Sequence, residues 1–291
     1  MKQYKSITPI LAFALTCMVT ATAAAPPLTF KFKDVKANKS AIETDTYGVN
    51  DSNTITGDYI DSSGVLHGMI LEGTKLTTID DPKGTATTGN AINKDGVVVG
   101  YYTNRSNVLT GFEYSKGKFH EIAPHGSLAT EALGINDKGD VVGLFIDSAG
   151  QHGFLRHAKT KKYTTLDVPG SYNTTAAWGI NNSGWITLYA YNPENEYTVY
   201  SFLKVGKHYT QVGQAGWTAH AINNKGDIVG RGSNCCSTFG WLLLRSNGNY
   251  YTFIDPNSCA NTRGDGLNDN DVIVGRYSPC AGGNVGYEAR Y

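Results

Sequence analysis

The sequence predicts an all-β protein: a six-bladed β-propeller with four antiparallel strands per blade. Three observations predict it. First, one phrase recurs six times, at Gly48-Val49-Asn50, Ala91-Ile92-Asn93, Gly134-Ile135-Asn136, Gly179-Ile180-Asn181, Ala221-Ile222-Asn223 and Gly266-Leu267-Asn268. Each copy is followed by a polar turn and an apolar run, and the Asn residues are 43, 43, 45, 42 and 45 apart, a period that marks a repeat architecture. Second, 34 Gly and 18 Tyr in 291 residues suit tight turns and strands rather than helices. Third, the last copy is one strand short, and the N-terminus holds a segment of the missing pattern.

In chain order, residues 1–25 read as a secretory leader. Lys2 and Lys5 give a positive start, the apolar core Ile7 to Val19 is too short to span a bilayer, and small residues from Thr20 to Ala25 place cleavage near Ala23 or Ala24. Cys17 has Ala14 three residues before it, where a lipoprotein site wants Leu. Residues 26–291 then form a single propeller domain.

The third copy shows the blade most clearly. Thr130 to Asn136 is a first strand, Asp137-Lys138-Gly139 a hairpin turn with Gly in the left-handed region, and Asp140 to Phe145 a second strand. Gly153 to Arg156 and the Tyr- and Thr-rich Tyr163 to Val168 follow as third and fourth, before Pro169-Gly170 breaks the sheet. Four antiparallel strands per period define a propeller blade. The sixth copy supplies Gly264 to Asn268, Val272 to Tyr277 and Gly286 to Tyr291, then stops, while Leu28 to Val35 matches the fourth-strand pattern. The N-terminal strand therefore completes the last blade and leaves no open edge at the ring seam.

The wording Ile135 to Gly143, then His152-Gly153-Phe154, then Tyr163 to Gly170 resembles the HAF-type extracellular repeat of secreted bacterial proteins. The resemblance covers essentially the whole mature chain. It implies export and a propeller-like fold, and it brings no catalytic residues with it. The fourth copy departs most, with Trp185-Ile186-Thr187-Leu188 in place of the usual apolar run and an insert from Tyr191 to Val199.

In such a ring, the loops joining second to third strands and fourth to first strands share one face. Here they are the longer and more variable set, and function is grafted on loops of that kind. Cys235, Cys236, Cys259 and Cys280 all fall in these loops of blades five and six. An even number of cysteines in an exported chain reads as disulfides. Since adjacent cysteines rarely bond each other, Cys235 and Cys236 are expected to pair with Cys259 and Cys280 in some order.

Positions held constant by the repeats are structural, so candidate function lies where the copies disagree. Two residues before the Ile stand Tyr47, Asn90, Leu133, Trp178, His220 and Asp265; four before it stand Asp45, Thr88, Glu131, Ala176, Thr218 and Arg263. These share a strand face directed at the axis. As ligand-binding candidates we take Tyr47, Asn90, Trp178, Trp217, His220, Arg263 and Asp265. If the protein is an enzyme, Glu131 or Asp45 would act as acid/base, His220 as proton shuttle and Arg263 as carboxylate clamp. Plainer readings stand beside these: aromatics fill cores, and Glu131, Arg263 and Asp265 can pair across the channel. His67 and His152 recur in equivalent His-Gly positions and read as scaffold.

Zero net charge with 17% charged residues argues against nucleic acid or an anionic membrane as the main partner. No stretch after the leader is apolar enough for membrane insertion. The turns lack the spacing and distal Glu of a calcium loop, and no Cys-x-x-Cys, Gly-x-Ser-x-Gly, His-Glu-x-x-His or phosphate-cradling loop is present, so no metal or cofactor is expected. The functional expectations, in order, are a secreted module binding a glycan or extracellular protein through its loop face, a polysaccharide lyase or hydrolase using the central funnel, and a purely structural envelope protein. Either an extracellular or a periplasmic location fits.

Overall fold

The computed structural model describes residues 27–170, 174–192, 198–234, 236–259 and 261–291. The expected leader and Cys235 lie outside the described residues. Among those described, six separate four-stranded antiparallel sheets form a six-bladed β-propeller. The innermost strands of blades 1 to 6 are Glu43–Val49, Gly84–Ile92, Ala129–Ile135, Thr174–Ile180, Thr218–Ile222 and Thr262–Leu267. In the third blade the further strands are Val141–Asp147, Gly150–Arg156 and Tyr163–Leu166. The middle hairpin is tighter than the sequence suggests, because Gly150 at φ 139 lets Asp147 and Gly150 pair directly.

The sixth blade is shared between the chain ends. Lys31–Val35 pairs antiparallel with Val285–Arg290, with Phe32 opposite Ala289. Phe30 and Phe32 pack on Phe253, and Phe32 also meets Tyr287 edge-on. Aromatic burial thus reinforces the backbone ladder in closing the seam.

Apolar side chains fill the spaces between consecutive blades. Val99 and Ile122 of blade 2 pack with Ile135, Val141 and Phe154 of blade 3; Val142 and Leu166 of blade 3 pack with Ile180, Ile186 and Leu188 of blade 4. Each such fully buried side chain contributes about 1.5–3 kcal/mol. The small residue before each Ile sits where two inner strands meet: a Cβ on Gly134 would lie 2.4 Å from the Trp178 carbonyl oxygen.

The recurring Asn has two tasks. Its Oδ1 accepts the backbone N–H groups two and four residues on, as when Asn136 receives Lys138 at 3.0 Å and Asp140 at 2.9 Å. That Asx turn shapes the first hairpin. Its Nδ2 donates to the carbonyl of the next blade's Asn: Asn50 to Asn93 at 3.1 Å, Asn93 to Asn136 at 3.3 Å, Asn136 to Asn181 at 3.2 Å, Asn181 to Asn223 at 3.1 Å and Asn223 to Asn268 at 3.3 Å. Asn268 closes the circle on Asn50 at 2.9 Å. The repeated word is a ring of hydrogen bonds around the axis.

One disulfide pairing is corrected. Cys259 bonds Cys280, with Cα atoms 5.0 Å apart, so neither pairs with Cys235 or Cys236. The backbone explains the choice: Cys259 N donates to Ser278 O and Ser278 N to Asn261 O, both at 2.9 Å, and this zips the two loops of blade 6 together.

Candidate functional site

All six inner strands carry the same irregularity. Their pairing with the second strand slips by one residue between Thr46 and Gly48, Gly89 and Ala91, Ala132 and Gly134, Ala177 and Gly179, Ala219 and Ala221, and Gly264 and Gly266. The residues left out of register are Tyr47, Asn90, Leu133, Trp178, His220 and Asp265, the positions where the copies differ. A β-bulge re-aims the extra side chain. Here all six line one axial cavity. That cavity measures about 80 Å³, room for a few waters and well below the roughly 300 Å³ of a typical ligand pocket. Below it, Val49, Ile92, Ile135, Ile180, Ile222 and Leu267 form an apolar collar above the Asn ring.

Around the mouth of the axis, on the side of the variable loops, two residues per blade face each other across inner and second strands. The pairs are Asp45 with Asp58, Thr88 with Tyr101, Glu131 with Leu144, Ala176 with Tyr189, Thr218 with Arg231, and Arg263 with Arg276. Most are half-buried, and the layer is unevenly charged: carboxyls on blades 1 and 3, guanidinium groups on blades 5 and 6.

Several of these groups are already engaged. Arg276 Nη1 pairs with Asp45 Oδ2 at 2.5 Å and also contacts the Tyr47 hydroxyl, which donates to Asp45 at 3.2 Å. Burial raises the Asp45 carboxyl although Arg276 pulls the other way, and Asp45 Oδ1 is buried without a partner. Thr88 Oγ1 donates to Asp58 Oδ2 at 2.8 Å. Burial, with the Asp45 charge adding to it, pushes Asp58 up to about 7.

His220 stacks on Trp178 with ring centroids 4.3 Å apart. Its Nδ1 donates to Asp265 Oδ1 at 2.8 Å and lies 3.2 Å from the Gly264 carbonyl, while Nε2 sits 3.0 Å from Thr218 Oγ1. Burial would raise Asp265, but the His220 contact and the Arg276 and Arg263 charges outweigh it and hold this carboxyl below its ordinary value. Asp265 therefore pairs with His220, not with Arg263.

Other mouth groups are not spent on ion pairs. Burial raises the Glu131 carboxyl. Burial also raises Tyr101, and it carries Tyr189 to about 12, so both phenols stay protonated donors. Arg263 Nε reaches only the neutral Asn261 Oδ1, at 3.4 Å. Asn90 Nδ2 donates to the Ala132 carbonyl at 2.9 Å and ties the inner strands of blades 2 and 3.

The structure thus brings Tyr47, Asn90, Trp178, His220 and Asp265 to the axis and Asp45, Glu131 and Arg263 to its mouth. Trp217 is a correction. It is 8% exposed, packed against Trp241 and Phe239 in the core of blade 5, and absent from the axial lining. Gly216 at φ 83 turns the chain just before it, and its odd offset from Ile222 places it on the opposite face from Thr218.

Sequence reasoning passed over Asp58, Tyr101, Tyr189, Arg231 and Arg276. The signal was present: they follow the apolar run of the second strand, where the copies disagree as sharply as on the first. Among the described residues, no group of three His, Cys, Asp or Glu side chains is placed to hold a metal ion.

No protein-family model matches the chain, and no curated sequence matches it. Solved structures resemble it in fold. A lectin from Aleuria aurantia in complex with Fucα1-6GlcNAc aligns with TM-score 0.52 at 12% identity, covering 84% of this chain and 91% of the lectin. A gluconolactonase from Xanthomonas campestris aligns with TM-score 0.52 at 14% identity, covering 86% and 88%. An oligogalacturonate lyase in complex with manganese aligns with TM-score 0.52 at 11% identity, covering 91% and 96%. At these identities the likeness is one of fold alone: the chain is a six-bladed propeller.

Proposed function

We propose that this protein is an exported carbohydrate-binding propeller whose ligand rests on the polar mouth of the axis. One observation carries the reading: six bulges turn the divergent residues inward, beneath a half-buried layer of tyrosines, carboxyls and guanidinium groups. Tyr101 and Tyr189 offer faces and hydroxyls to a sugar ring, and Glu131 and Arg263 offer directional hydrogen bonds. The cavity below is too small for a sugar, so the ligand lies across the mouth and not down the channel. Export rests on the leader-like residues 1–25 and on the Cys259–Cys280 bond, which suits an oxidising compartment. We also propose membership of the HAF-type repeat family, on the residues that carry that resemblance.

A second reading, a glycan-active enzyme, is favoured by one specific observation: Asp58 titrates near 7 and Glu131 is also raised, the property of a general acid. A glycan array and a polysaccharide-depolymerisation screen on the mature protein separate the readings. Array binding without product supports the binding module. Product formation that disappears in Glu131→Gln and His220→Ala supports the enzyme, and no effect of either variant removes those roles. A blank in both tests leaves the purely structural envelope protein.

A further inference from the structure

Blades 5 and 6 place three guanidinium groups at the mouth: Arg231, Arg263 and Arg276. Arg263 and Arg276 stand directly opposite each other on paired strands, an arrangement that costs stability for like charges. Arg276 is neutralised by Asp45. Asp265, whose charge also acts on Arg263 and Arg276, is held by His220. Among the described residues, neither Arg231 nor Arg263 forms an ion pair, whereas the buried Arg156 has Glu113 at 2.7 Å. Burial and the Arg276 charge, with Arg231 adding to them, outweigh the opposing Asp265 charge and pull Arg263 below its ordinary value. Two half-buried cations without an ion-pair contact are costly to keep, and an arriving anion would relieve that cost.

We infer that the ligand is an acidic sugar, a uronic acid residue whose carboxylate is gripped by Arg231 and Arg263. The inference rests on the axial carbohydrate site proposed above and names its substrate class. The planar guanidinium fork matches a carboxylate through two parallel N–H···O bonds. Tyr189 on the neighbouring blade supplies a flat surface for the pyranose ring. Glu131, across the mouth, supplies a carboxyl held toward its neutral form by burial, so it can accept or donate to a sugar hydroxyl without repelling the bound carboxylate.

The test uses the mature protein and paired probes: oligosaccharides of galacturonate, glucuronate and mannuronate, and the same oligosaccharides with their carboxylates reduced to hydroxymethyl groups. Titration calorimetry should show at least one uronate bound about tenfold to a hundredfold more tightly than its reduced partner, a margin expected of charge-assisted hydrogen bonds, and weakened by added salt. Arg231→Gln and Arg263→Gln should each shrink that margin without lowering the thermal midpoint, because each removes an unpaired charge. Equal binding of acid and reduced forms, or binding only of neutral or sulfated glycans, overturns the inference while leaving the carbohydrate site standing. A fall in midpoint with no change in the margin assigns the arginines a structural role and also overturns it. Binding of no glycan at all removes both readings.

Discussion

Asp58 shows how one residue links burial to behaviour. Its carboxyl titrates near 7 in the fold against an ordinary 3.8. Between those values the folded state holds a proton that the unfolded chain has released. Stability contributed at this site is therefore full below about pH 4 and falls as pH rises toward 7. Asp58→Asn keeps an acceptor for Thr88 and removes the ionisation. It should leave the unfolding free energy from urea titration nearly unchanged at pH 4 and raise it at pH 8, by an amount on the order of a few kcal/mol. An unchanged difference across that range would mean that Asp58 is not held protonated. His67 runs the same way in sign, since it too is raised in the fold. Burial lowers it, but the hydrogen bonds it donates to Asp80 at 2.7 Å and Asp61 at 3.4 Å outweigh that and raise it above 6.5. Its contribution is present at low pH and lost as pH climbs through the raised value, so His67→Gln should reduce stability at pH 5 more than at pH 9 in parallel melts.

At the scale of the element, the unit is the bulged inner strand with its Asn hairpin. The period of the Asn was legible in the sequence, and so was the Gly-containing turn, because both are local. The reason for the Asn was not: Nδ2 reaches a carbonyl in the next blade, 42 to 45 residues away within the chain. Alternation along the strand placed Tyr47, Trp178 and His220 on the axial face, but not the bulge that turns them in, since a bulge is a property of two paired strands. Trp217 lies off the axis because its odd offset from Ile222 sends its ring into the core of blade 5. The cysteine loops were found, but which of them zip together depends on backbone hydrogen bonds that spacing does not encode. Asn136→Ala removes two turn-forming acceptor contacts and one inter-blade donor at once. It should cost about 2–4 kcal/mol in urea unfolding, more than a surface Asn→Ala on an outer hairpin. A cost below about 0.5 kcal/mol would show that the ring is incidental.

At the scale of the whole molecule, closure decides whether the ring is one cooperative body. The N-terminal strand, the blade 6 disulfide and the Asn268-to-Asn50 bond all act at or beside one seam. Cys259→Ser with Cys280→Ser should lower stability by about 3 kcal/mol, the chain-entropy scale for a bridge of 21-residue separation, without altering glycan binding. At the mouth the Asp45–Arg276 pair also joins blades 1 and 6, but Arg231 and Arg263 carry charges that no ion pair among the described residues uses. The most direct test of that division is a glycan-array comparison of the wild-type mature protein with the Tyr189→Leu, Arg263→Gln double variant, both confirmed as folded by near-ultraviolet circular dichroism. The account predicts carbohydrate binding by the wild type that the folded double variant loses. Undiminished binding by the double variant would contradict it and move the ligand site away from the axis.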